Sequence, residues 1–345
     1  MRACVIHGKE DLRIEDVAAP SVAERQVRVR IRAGGICGSD IHYFFEGRNG
    51  DFVIKEPLIP GHEVSGEVAE VGSAVRRVRP GDRIAVHPGR PCGRCAQCRR
   101  GAENLCTNVF FFGSASKFPH MQGAFCESVT VDESQCHPVP ANLDFPVLAF
   151  AEPLSVALHA ITRAGSLVGR RVLVTGMGPI GMLTLMAARK AGASFLAATD
   201  AVDEPLRKAE QVGADLAVNV AQDRSRLAAA LQGPGAVDVA IEASGSPMAL
   251  RDCLELVRPG GIVVQMGTLP RGDVAIPANL VMAKELDLRG VFRSGMEFDM
   301  AVDWLANGRL DVRPVLTGVY PLADARSAFD AAKDRRRSLK VMIEI

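Results

Sequence analysis

Cys92, Cys95, Cys98 and Cys106 fall in the run PCGRCAQCRRGAENLC with the spacing C-x2-C-x2-C-x7-C. Four thiolates this close in a loop-like stretch suit a tetrahedral zinc ion, which would tie down a loop that has little core of its own. An iron–sulfur cluster uses the same donors, but it needs an electron path that the sequence does not provide. Because all four positions are filled by thiolates, the site is closed and expected to be structural.

A second set is mixed. The stretch GGICGSDIHY crowds Cys37, Ser39, Asp40, His42 and Tyr43 between glycines, and PGHEVSGEV adds His62 and Glu63. Cysteine, imidazole and carboxylate make a donor set of borderline softness that can leave one coordination position open to water or substrate. Glu152, in AEPLS, is a second carboxylate for the same purpose. Singly, each has a plainer reading. A lone histidine is most often a hydrogen-bonded structural group, and Asp40 can cap a helix that begins near Ile41.

A third signal is the turn VLVTGMGPIG, which places Gly176, Gly178, Pro179, Ile180 and Gly181 directly after an apolar strand. The first glycine allows the tight turn, the second lets backbone approach a pyrophosphate, and the third permits close helix–strand packing. The helix starting near Pro179 would offer its unpaired amides to phosphate. Such a turn alone is weak evidence, but FLAATD then sets Asp200 at the end of the next strand. An acid there can accept from both ribose hydroxyls and repel a ribose phosphate, so NAD is expected over NADP. The competing reading of Asp200 is a helix N-cap. Arg207 either approaches the adenine side or is a solvated helix residue.

The elements that must carry these groups fall into three segments. Residues 1–150 read as short strands broken by Gly and Pro, including MRACVIH, QVRVRIRAG, HEVSGEVAEVG and FCESVTVD. AEPLSVALHAITRAG changes to helical spacing, and residues 151–294 alternate strand and helix up to a last strand, LDLRGVF. That alternation argues for a parallel sheet covered on both faces, a Rossmann-type nucleotide domain. Residues 295–345, with helices near 299–306 and 324–332 and a final strand LKVMIEI, are expected to return to the first domain.

Composition narrows the function classes. The chain has 345 residues, 41 basic and 40 acidic, for a net charge of +1, which gives no electrostatic case for nucleic acid. The opening lacks the basic, apolar and small-residue series of a signal peptide, and the apolar runs are interrupted before a span is complete. No membrane association and a cytoplasmic location are therefore expected. Cys4, Cys126, Cys136 and Cys253 stand apart from the cluster and read as buried small hydrophobes.

Taken together, GHEVSGEVAEVG, the four-cysteine lobe and VLVTGMGPIG, in this order, resemble the zinc-dependent medium-chain dehydrogenase/reductase superfamily. The resemblance covers essentially the whole chain. AEPLSVALHA and GGICGSDIHY are similar to its polyol dehydrogenase branch. Within that branch, FFFGSASKFPHMQGAF and RGVFRSGMEFDMAVDWLANG look most like dehydrogenases of the sugar acid L-idonate. The resemblance implies a GroES-like catalytic domain beside the Rossmann domain, two zinc ions per chain and NAD. It also implies a homodimer or homotetramer, and the strand-like LDLRGVF offers an edge that could pair across a twofold axis. Catalytic zinc would be held by Cys37 and His62 with Glu63, Glu152 or both. Glu152 stands where many alcohol dehydrogenases have cysteine.

The implied chemistry is oxidation of a zinc-activated hydroxyl, with Ser39 and His42 relaying the proton. Ser39 departs from the family's common threonine but keeps the hydroxyl. Tyr43 would line the sugar pocket, and Lys117, His120 or Arg293 would receive a substrate carboxylate, Arg293 as a bidentate partner. Two alternatives stand beside this reading. One is a sorbitol/xylitol-type enzyme for neutral polyols. The other is a nonenzymatic, zinc-stabilised nucleotide sensor, which would not need the mixed Cys37, His62, Glu63 and Glu152 set.

Overall fold

The computed structural model describes residues 1–345, the side chain of Pro234 apart. The chain divides into two units, one made of Met1–Glu152, Phe298–Asp334 and Lys340–Ile345, the other of Pro153–Glu297 and Arg335–Leu339. The tail therefore does not return in one piece, because Arg335–Leu339 groups with the second unit.

The first unit is built on a seven-stranded sheet. Its main order is Cys136–Val139, Arg83–Val86, Glu63–Val71, Gln26–Gly35, Lys340–Glu344 and Leu316–Pro321, and Ser128–Asp132 also pairs with Gln26–Gly35. The period-two pattern of QVRVRIRAG explains the central strand: Val27, Val29, Ile31 and Ala33 are fully buried, while Arg28, Arg30 and Arg32 alternate with them. The core beneath includes Phe44, Phe125 and Phe329, with the Phe329 ring 5.3 Å from Phe44 and 6.3 Å from Phe125, both near edge-on.

Glycine governs one junction of this sheet. Gly35 lies opposite Glu63 on one side and Met342 on the other. A Cβ at Gly35 would sit 2.1 Å from Glu63 Oε2. The gap over Gly35 is thus filled by the Glu63 carboxylate.

The second unit carries a six-stranded, all-parallel sheet in the order Leu216–Asn219, Phe195–Asp200, Arg171–Thr175, Val237–Glu242, Val257–Gln265 and Asp287–Gly290. Counted from Arg171–Thr175, this is the 3-2-1-4-5-6 order of a dinucleotide-binding sheet. Val172, Leu173 and Val174 are all fully buried, as strands covered on both faces require. The fold class thus agrees with the sequence reading. The last strand is shorter than LDLRGVF suggests: it ends at Gly290, so Arg293 lies in a bend beyond it. The stretch Phe145–Ala164 is long and apolar enough to cross a membrane, contrary to the run-by-run reading, and 61% of that window is buried inside the protein, as in a core helix.

The glycine turn shows why its spacing matters. Gly176 has φ +82°, in the left-handed region, and a Cβ on Gly181 would lie 1.7 Å from the Gly176 carbonyl oxygen. Helix and strand can meet there only without that methyl group. Gly181→Ala should cost about 1–3 kcal/mol through overpacking. A thermal melt should show a lower Tm, with weakened nucleotide binding by calorimetry; an unchanged Tm would refute the close-approach argument.

Candidate functional site

The mixed centre is assembled by a short helix and a strand start. Gly38–Glu46 is helical, and Cys37 is its N-cap. Asp40 closes a capping box: its Oδ2 accepts the Cys37 N–H at 3.0 Å. Its Oδ1 accepts the Gly61 N–H at 3.1 Å, so one buried carboxylate ties the Cys37 loop to the residue before His62. Asp40 therefore does cap the helix, as the N3 member of the box with Cys37 as N-cap, and it also ties in the loop before His62. The signal was available locally, in the Cys37–x–x–Asp40 spacing, but the link to Gly61 was not.

Ligand atoms of Cys37, His62 and Glu63 all lie within 4.8 Å of one another. Burial would lower the His62 pKa, yet Cys37, Asp40 and Glu152 outweigh it and raise the value well above the ordinary histidine range. The same surplus of negative charge would satisfy a divalent cation, so the residues fit a zinc ion. Burial also pushes Glu152 up to about 7, with His62 and Lys340 opposing and Glu63 and Asp40 adding to the shift. Glu152 lies outside the tight three-residue group but inside its electrostatic reach.

Glu63 has a partner that the sequence did not reveal. Lys340 Nζ donates to Glu63 Oε1 at 2.7 Å and Oε2 at 2.6 Å, and to the Ile36 carbonyl at 3.1 Å. Lys340 is 1% exposed and Glu63 0%, so all three ammonium donors are used inside the core. Nothing local marks Lys340, which is distant in sequence and sits in an apolar strand.

The four-cysteine lobe matches its expected geometry. Cys95 Sγ lies 3.5 Å from Cys98 Sγ and 4.0 Å from Cys106 Sγ. A tetrahedron with zinc–sulfur bonds of about 2.3 Å places sulfurs about 3.8 Å apart, whereas a disulfide would need about 2.05 Å. Amides of Cys98 and Thr107 hold the Cys95 thiol well below the usual range, and burial followed by the neighbouring thiols raises Cys98. The Cys92 and Asn108 amides both point at Cys106 sulfur, at 3.2 and 3.4 Å. The lobe fits a structural zinc.

In the second unit, a Cβ on Gly178 would meet nothing within 4 Å, leaving room for a ligand's close approach. Gly178 caps Pro179–Lys190 without a side-chain bond, so the first amides of this helix, Ile180 among them, face that space. These features fit a pyrophosphate. Asp200 differs from expectation. Its Oδ2 accepts from the Met177 N–H at 2.7 Å and from Arg335 at 2.7 Å, and its Oδ1 accepts from the Val202 N–H at 3.0 Å. It is not the N-cap of Asp203–Gln211, which is Val202. Arg207 is paired with Glu204 one turn away and exposed, which supports its reading as a solvated helix residue.

The substrate candidates separate. Tyr43 is 2% exposed and its hydroxyl accepts the Ala115 N–H at 3.0 Å, so it is a core aromatic rather than a pocket wall. His120 accepts the Lys55 N–H at Nε2 and faces the Lys117 carbonyl with Nδ1, both at 2.8 Å, so both ring nitrogens are spent within its own surroundings. Lys117 is hydrogen-bonded to Asn108 Oδ1 at 2.7 Å. Arg293 has φ +57° and its guanidinium stacks 4.6 Å from the Phe292 ring. Ser39 is half-buried one residue into the helix, and exposed His42 places Nδ1 2.8 Å from Glu46 Oε1.

A GroES-like sheet unit with a closed thiolate lobe and a mixed metal set, together with a dinucleotide-binding unit, defines a zinc-dependent, NAD(P)-linked dehydrogenase. The chain matches the alcohol dehydrogenase GroES-like domain over residues 23–141 and the zinc-binding dehydrogenase family over residues 179–307. It is 40% identical to L-idonate 5-dehydrogenase (NAD(P)(+)) of Escherichia coli, over 99% of this chain and 98% of that protein. Sorbitol dehydrogenase of Bos taurus is 37% identical over 99% and 95% of the two chains. The crystal structure of the Escherichia coli L-idonate 5-dehydrogenase superposes with a TM-score of 0.94 at 39% identity, covering 100% of this chain and 98% of that one. The chain belongs to the zinc-dependent medium-chain dehydrogenase family, in its polyol and sugar-acid branch. It is an enzyme, which sets aside the nonenzymatic sensor.

The buried pair can be tested directly. Lys340→Met strands a carboxylate in the core and should cost about 3–5 kcal/mol of stability. Adding Glu63→Gln should recover most of it. Denaturant unfolding of the single and double variants checks this, and a double variant no more stable than Lys340→Met would disprove the coupling.

Proposed function

We propose that this protein oxidises L-idonate at C5 to 5-keto-D-gluconate, reversibly, with NAD as hydride acceptor. The grouping of Cys37, His62 and Glu63 within 4.8 Å supports the dehydrogenase chemistry. The 40% identity to an L-idonate 5-dehydrogenase supports the substrate. A neutral-polyol enzyme is the second reading, favoured by the 37% identity to sorbitol dehydrogenase and by the internal commitments of His120 and Lys117.

In this reading Cys37 and His62 hold the catalytic zinc, with a carboxylate from Glu63 or Glu152. When bound, zinc supplies Lewis acidity toward the substrate hydroxyl, and NAD accepts the hydride. The chain's own groups manage charge and protons. Lys340 neutralises Glu63, leaving the Cys37 thiolate and the Glu152 carboxylate to balance a divalent cation. The Ser39 hydroxyl accepts the substrate proton as it releases its own toward His42. His42, 53% exposed at its side chain, passes it to solvent. Arg293 pairs with the substrate carboxylate. Two copies associate through the strand Asp287–Gly290, which ends the parallel sheet and exposes Leu288.

Elemental analysis of fully active enzyme should give zinc at both thiolate-containing groups. Cys95→Ala should lose the lobe's ion and unfold more easily, whereas Cys37→Ala should lose the other ion and turnover. Iron, or one zinc in fully active enzyme, would contradict the assignment.

Substrate choice is read from kcat/KM for idonate, sorbitol and xylitol. Idonate should exceed both polyols. Arg293→Leu should reduce idonate turnover by a further amount worth about 2–5 kcal/mol relative to sorbitol. A wild type that prefers sorbitol would move the assignment to the polyol reading. An equal loss for both substrates would remove Arg293 from carboxylate recognition.

A further inference from the structure

Asp200 was expected to select NAD because a free carboxylate repels a ribose phosphate. It is not free. Its side chain is 2% exposed and is held by two backbone amides and by the guanidinium of Arg335, which is itself 54% exposed. Oδ2 is fully used by Met177 and Arg335, and Oδ1 retains one lone-pair site beyond Val202. One ribose hydroxyl can still be accepted there. The negative charge, however, is compensated.

Arg335 reaches Asp200 from near the end of the chain, in the segment Arg335–Leu339 that groups with the nucleotide unit. Arg336 and Arg337 follow it. A guanidinium has five donors, and Arg335 spends one on Asp200. The exposed remainder is suited to bidentate contact with phosphate oxygens. Arg207, the other cation considered for this end, is held by Glu204.

We infer that Arg335 is a specificity-determining residue at the adenosine end: by pairing with Asp200 and presenting its remaining donors, it lets the enzyme accept NADP as well as NAD. The inference rests on the nucleotide reading of the Gly176–Gly181 turn and is independent of the sugar substrate.

Binding without substrate tests it. Zinc-loaded wild type and Arg335→Ala are titrated by calorimetry with NAD and NADP, and with the fragments 5′-ADP and 2′,5′-ADP. Wild type should bind NADP within about tenfold of NAD. Arg335→Ala should weaken NADP and 2′,5′-ADP at least about tenfold more than NAD and 5′-ADP, and Arg335→Lys should restore part of that difference. Wild-type NADP binding weaker than NAD by more than about a hundredfold would overturn the inference. So would an equal loss for all four ligands in Arg335→Ala, which would make Arg335 a strut for Asp200. Either result would leave the L-idonate reading standing, because no sugar is present.

Discussion

The first unit is organised around a charge pair placed where water cannot reach. Lys340 and Glu63 come from strands on opposite sides of Gln26–Gly35, and they meet because Gly35 has no side chain between them. Burying two ions is costly, and the cost is offset only when the geometry is good and every donor is used. Here the third ammonium donor holds the Ile36 carbonyl, next to Cys37. One interaction therefore joins the final strand, the strand that starts at Glu63 and the loop that carries Cys37.

Asp40 completes the frame from the other side. It holds the Cys37 and Gly61 amides with its two oxygens, so the donors on either side of the mixed centre are located by a single carboxylate. Burial raises its pKa, and His62 and the two amides oppose that shift. Cys37 and His62 thus belong to a network of fixed charges and dipoles, of the kind that metal centres generally require behind their ligands. The cysteine lobe reaches rigidity differently: its four sulfurs converge within a single loop, supported by amide donors, and depend little on the main core.

Two carboxylates, Glu63 in the first unit and Asp200 in the second, share one feature. Glu63 looked like a metal ligand and Asp200 like a free ribose acceptor, and each is bonded to a cation from the last eleven residues of the chain, Lys340 and Arg335 respectively. In both cases the carboxylate's identity suggested a role, and its partner changed what that charge can do. Tyr43 and His120 were altered in the same way by ordinary hydrogen bonds to backbone, which turned apparent pocket residues into packing elements.

The sequence by itself determined the features whose physics is local. The period-two strand QVRVRIRAG, the glycine turn at Gly176–Gly181 and the Cys92–Cys106 spacing each specify structure through neighbours a few residues apart, and each is present in the fold. The alternation of strands and helices likewise made the parallel sheet legible. Tertiary structure decided everything that depends on who faces a charge across a sheet or turn. Lys340 on Glu63, Arg335 on Asp200 and Asp40 on Gly61 join residues far apart in the chain. No periodicity encodes such pairings, because a buried or half-buried charge is satisfied by whichever partner the completed fold brings within hydrogen-bond distance.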